Sequence, residues 1–137
     1  MKRTLHVIIA ILILVFMSPQ NVQSEELVNN VFLLEKQDRL LAFSGQSNRW
    51  FAKDLRTGEK VIKSTYDGNV AIAYTNERAL AFSAITNRWA GERFRIRESV
   101  ASISAEGNIG TVITDIRALG FNARNGVWVE SLFTLGD

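Results

Sequence analysis

Residues 78–89 read RALAFSAITNRW, and the phrase comes three times. Residues 39–50 read RLLAFSGQSNRW, and residues 117–128 read RALGFNARNGVW. Sliding the chain by 39 positions superposes Arg39, Arg78 and Arg117, and with them Leu41, Leu80 and Leu119. Phe43, Phe82 and Phe121 keep the same step, as do Trp50, Trp89 and Trp128. Four residue types in one register mark a structural repeat, with units 31–69, 70–108 and 109–137.

Each unit reads as short strands. In the middle unit, Val70 to Thr75 predicts a first strand and Asn76-Glu77 a turn. Arg78 to Ser83 predicts a second strand, and Ile85-Thr86-Asn87 a turn. Arg88 to Ile96 predicts a third strand and Val100 to Ala105 a fourth. Asp67-Gly68-Asn69 and Glu106-Gly107-Asn108 turn the chain from one unit into the next, because Gly and Asn accept the positive φ of tight turns. No stretch after residue 24 carries a helical apolar period. The expected fold is all-β: three repeats of about 39 residues, each a sheet of three to four antiparallel strands.

The second strand narrows the architecture. Leu80 and Phe82 fall on one face, Ala79 and Ala81 on the other, and both faces are apolar. A sheet with one wet face would place polar residues at the Ala positions. A sheet covered on both sides is the situation of a β-propeller blade. The phrases GNVAIAYTNERALAFSAITNRW and GNIGTVITDIRALGFNARNGVW resemble the blade repeats of exported bacterial β-propeller-like proteins. The resemblance covers residues 31–137 and implies an exported, non-catalytic repeat protein; it carries no catalytic motif.

Propellers typically have 4–8 blades, and three units fall short of that. The third unit also stops after its third strand, and residues 25–30 (EELVNN) offer a short substitute from the N-terminus. A β-trefoil or a β-prism would close with three units instead. An open array leaves sheet edges and apolar faces uncovered. Two chains joined into a six-blade ring would cover them, so a homo-oligomer is expected.

Residues 1–24 read as a secretory signal peptide. Lys2 and Arg3 precede a nearly continuous apolar run from Leu5 to Met17, and Ser18-Pro19 ends it. Val22 and Ser24 stand at −3 and −1 before Glu25, as a cleavage site requires. The chain is therefore expected to be periplasmic or secreted, or membrane-anchored through residues 5–17 if cleavage fails.

Removing residues 1–24 takes Lys+Arg from 16 to 14 against 14 Asp+Glu, so the remaining chain is formally neutral. The only His (His6) and the only Pro (Pro19) leave with the signal, as do both Met, and the whole chain has no Cys. That excludes Ser-His-Asp and Cys-His catalysis and zinc sites built on His or Cys. Carboxylate chemistry and oxygen-ligand calcium binding survive the exclusion, but no calcium loop of closely spaced acids occurs. A neutral domain lacks the basic patch that nucleic-acid binding needs. No cofactor is expected.

Two rows remain as candidate ligand or structural sites. Trp50, Trp89 and Trp128 offer either sugar-stacking platforms or packing between sheets with the indole N–H bonded to a backbone carbonyl. Arg39, Arg78 and Arg117 offer either carboxylate recognition or turn-closing bonds to backbone or to a nearby acid such as Asp38 or Glu77. Arg49 and Arg88 recur in two units only, with Val127 in the third. Arg93, Arg95 and Arg97 alternate onto one strand face as a solvated basic stripe. Glu59 and Glu98 recur but read as turn and surface residues, so no carboxylate pair is marked for glycoside hydrolysis. The leading expectation is a non-enzymatic interaction or structural module that meets an unknown protein or glycan. The alternative is a lectin with one pocket per repeat.

Overall fold

A computed structural model describes residues 28–133, in strands joined by turns and loops with no helix among them. Strands β1 (Val31–Glu35), β2 (Arg39–Ser44) and β3 (Arg49–Asp54) form the first sheet. Strands β4 (Val61–Asp67), β5 (Val70–Thr75), β6 (Arg78–Ser83) and β7 (Arg88–Arg93) form the second. Strands β8 (Val100–Glu106), β9 (Ile109–Thr114), β10 (Arg117–Asn122) and β11 (Val127–Leu132) form the third. Every pairing is antiparallel between consecutive strands, so each sheet is an up-and-down, blade-like unit.

The sheets stack face to face. Ala71, Ala73, Leu80 and Phe82 of the middle sheet meet Val31, Leu33, Leu40 and Ala42 of the first. Val70, Ile72, Ala79 and Ala81 meet Val112, Leu119, Phe121 and Ala123 of the third. All six residues of β6 are buried, which is the two-sided burial that its sequence predicts. Each fully buried large side chain contributes about 1.5–3 kcal/mol, against about 0–1 kcal/mol for an exposed ion pair, so these two apolar layers hold the stack. The described residues form an open row with distinct ends. They close as neither a β-trefoil nor a β-prism, since the middle sheet is covered on both faces and the end sheets on one.

The sequence repeat and the sheet are out of step. The fourth strand of each unit crosses to the next sheet: β4 belongs with β5 to β7, and β8 with β9 to β11. The third sheet is therefore complete, and the three-stranded sheet is the first. Loop lengths explain the crossing. Leu55 to Lys60 is long enough to pass between sheets, whereas Gly68-Asn69 closes a tight hairpin between β4 and β5. Of the expected substitute strand, residues 25–27 lie outside the described residues and Val28–Asn30 are not in a strand. The signal segment 1–24 also lies outside the described residues.

Two turn positions recur at the repeat step. Asn48, Asn87 and Gly126 end the turns before β3, β7 and β11 at φ of 55°, 56° and 69°. Gly68 combines φ of 55° with a close approach: a Cβ there would stand 2.4 Å from the Gly107 carbonyl oxygen. Only glycine meets both demands.

Candidate functional site

The Trp row lies on the outer strands β3, β7 and β11. Each Trp is paired across strands with the Phe of its own unit, at centroid distances of 5.2 Å for Phe43–Trp50, 5.4 Å for Phe82–Trp89 and 5.3 Å for Phe121–Trp128. The next link reaches the neighbouring sheet. Trp89 Nε1 donates to the Phe51 carbonyl at 3.1 Å, and Trp128 Nε1 donates to the Ala90 carbonyl at 3.2 Å. Phe51 and Ala90 are one repeat apart, so the two bonds are the same bond made twice. Trp50, in the first sheet, has no preceding sheet among the described residues. It is 51% exposed and lies edge-on to Phe32 at 6.2 Å.

The Arg row opens β2, β6 and β10 and divides the same way. Arg78 is buried and forks onto Glu59, with Nε to Oε1 at 2.8 Å and Nη2 to Oε2 at 3.1 Å. Its Nη2 also reaches the Asp54 carbonyl of β3 at 3.3 Å. Arg117 repeats the arrangement on Glu98, at 2.7 and 3.1 Å, and on the Arg93 carbonyl of β7 at 2.8 Å. Its Nη1 donates to Glu92 at 3.1 Å and to Glu130 at 2.7 Å. Those contacts engage all the N–H donors that a guanidinium has. Arg39 sits at the surface and pairs with Asp38 at 2.9 Å.

Arg39 takes the expected acid, Asp38, but the partner of Arg78 differs from the sequence expectation. Arg78 takes Glu59 and leaves Glu77 to Arg56, at 3.4 Å. Glu59 and Glu98, read as surface residues, have fully buried side chains. Burial pushes the Glu59 carboxyl up. The bonds from Arg78, the Arg56 backbone N–H and Thr75 outweigh that and leave it below its ordinary value. Glu98 is held down in the same way, against burial, by Arg117, the Arg95 N–H and Thr114. Arg117 is raised, chiefly by its bond to Glu98. Thr75 and Thr114 complete each cluster, accepting the N–H of Arg78 and of Arg117 at 3.1 Å. A sequence signal existed for this set: Glu59/Glu98, Thr75/Thr114 and Arg78/Arg117 share one repeat step.

The expected basic stripe is not a strand face. β7 ends at Arg93, and Arg95 and Arg97 lie in the loop that carries Glu98, with Arg97 at φ of 63°. Arg95 pairs with Glu130 at 3.2 Å. A polar ladder runs beside the tight turns: Asn30 Nδ2 donates to Asn69 Oδ1 at 2.8 Å, and Asn69 Nδ2 to Asn108 Oδ1 at 2.6 Å.

No protein-family model matches the chain, and no curated protein matches it. Among solved structures, the chain is similar to the N-terminal domain of Nup159, with 10% identity and a TM-score of 0.42. That similarity covers 74% of this chain, which spans 30% of the other.

Proposed function

We propose that the chain is an exported, non-enzymatic β-repeat protein that acts by contact, as a structural or interaction module. The observation that carries this reading is the engagement of Arg117. A guanidinium whose N–H groups all serve neighbouring strands and loops offers nothing to a carboxylate ligand, and Arg78 is similarly committed to Glu59. Trp89 and Trp128 likewise use their indole N–H groups between sheets. Two of the three residues in each row, Arg78 and Arg117 and Trp89 and Trp128, are spent on holding sheets together. Export rests on the signal segment, whose processing predicts a mature N-terminus at Glu25. Intact-mass measurement of the recovered protein checks it, and retention of residues 1–24 would favour the anchored form instead.

One observation favours the lectin reading: Trp50 is half exposed beside Phe32 and Phe43, an aromatic cluster at one end of the row. A glycan array separates the readings. The contact module predicts no sugar signal. A signal that Trp50→Ala abolishes would establish the lectin.

A further inference from the structure

The repeat makes the two ends of the row complementary, and we propose that they dock on each other between two copies of this chain. This names the partner of the contact module proposed above and rests on that reading. Inside the chain the same interface is built twice. One side presents the face with the Leu, Phe and Trp of the repeat phrase: Leu80, Phe82 and Trp89 in the first interface, Leu119, Phe121 and Trp128 in the second. The other side presents Val31, Leu33 and Phe51, then Val70, Ile72 and Ala90 one repeat later.

Each end of the row keeps one half of that interface. The first sheet's outer face carries Phe32, Leu34, Leu41, Phe43 and Trp50, the repeat counterparts of Ala71, Ala73, Leu80, Phe82 and Trp89. The third sheet's outer face carries Ile109, Thr111, Gly120, Val127 and Val129. Of these, Ile109 corresponds to the fully buried Val70 and is 57% exposed, and Val129 corresponds to Ala90 and is 66% exposed. Where β3 and β7 place Arg49 and Arg88, β11 places Val127, so this face is also more apolar at its margin. Uncovered apolar faces of this kind mark contact surfaces.

The polar contacts extend by the same arithmetic. Trp50 Nε1 meets the partner copy at the Val129 carbonyl, the third member of the series Phe51, Ala90, Val129. The Asn30, Asn69, Asn108 ladder continues from Asn108 to Asn30 of the partner subunit. One contact does not carry over: Ser44 and Ser83 bond the Ala84 and Ala123 carbonyls, but Asn122 stands at the third position. The number of copies follows from blade counts. Rings of blade-like sheets typically hold 4–8, and with the three sheets that the described residues form, only two copies fall in that range. In such a ring both end-to-end contacts form, related by the two-fold axis.

Sedimentation of the purified protein, read against the intact mass of the same sample, tests the proposal. The expected result is twice the mass of one chain at micromolar concentration. Trp50→Asp and Val129→Asp alter exposed positions on opposite ends, and each alone is expected to be monomeric with an unchanged β-sheet circular dichroism spectrum. Mixed together they are expected to form a heterodimer, because one intact pair of faces is restored. A monomeric wild type overturns the proposal, as does a dimer that survives in either variant alone. Either failure would leave the glycan-array result, and with it the contact reading, untouched.

Discussion

Arg78 and Glu59 lie 19 residues apart in the chain and form a two-point ion pair in which the carboxylate is fully buried. The pair fastens the loop between the first two sheets to the head of β6, and Arg117 with Glu98 fastens the next loop to β10. Removing one partner leaves an uncompensated buried charge, which costs about 3–5 kcal/mol. Arg78→Met is therefore expected to destabilise the protein by that amount in urea unfolding. The double variant Arg78→Met with Glu59→Met is expected to lose less than Arg78→Met alone. A double variant that loses the sum of both singles would contradict a coupled pair.

Acid should unfold the protein through the same two carboxylates. Glu59 and Glu98 have folded-state values below their unfolded ones. Their contribution is complete above the unfolded value and is lost as pH falls through the folded one. The urea midpoint is expected to hold near neutrality and to fall below the ordinary carboxylate range. Glu98→Gln should be less stable at neutral pH and show a shallower acid dependence than the wild type.

Trp89→Phe keeps an aromatic ring on Phe82 but strands the Phe51 carbonyl. A hydrogen bond contributes about 1 kcal/mol net, and this one is partly buried, so a loss of about that size plus the smaller ring's lost packing is expected. Chemical unfolding measures it. A Trp128→Phe variant should behave alike, since it breaks the equivalent bond to Ala90.

The tight turn between β4 and β5 has no room for a methyl group. Gly68→Ala combines a positive φ with a clash against backbone, and is expected to destabilise more than Gly58→Ala, where φ is also positive but nothing stands within 4 Å. Thermal melting of the two variants gives the comparison.

Much of this architecture was written in the chain. β5 and β6 begin and end where the alternation and the Asn76-Glu77 turn predict, because Ala on one face and Leu or Phe on the other leave few alternatives. The third strand ends three residues before Ile96. Phe94 still reads as a strand residue, but Glu98 must fold back to reach Arg117. The offset between repeat and sheet was hidden for a different reason. Strand pattern does not say which neighbour a strand joins; the contrast between the six-residue Leu55 to Lys60 loop and the Gly68-Asn69 hairpin does. The ion pairs are not legible locally, because a carboxylate beside a turn resembles any surface acid until its partner is found two strands further on. Trp50 and Arg39 show the limit of repeat reasoning: identical residues at equivalent positions become half exposed where no sheet precedes them among the described residues.

Amide hydrogen exchange tests the stacked row most directly. With both faces of the middle sheet covered, β6 (Arg78–Ser83) should exchange slowest of all strands, at the rate set by global unfolding, and β3 and β11 markedly faster. Equal protection of β6 and the outer strands, or exchange of β6 through local opening, would contradict a core centred on the middle sheet.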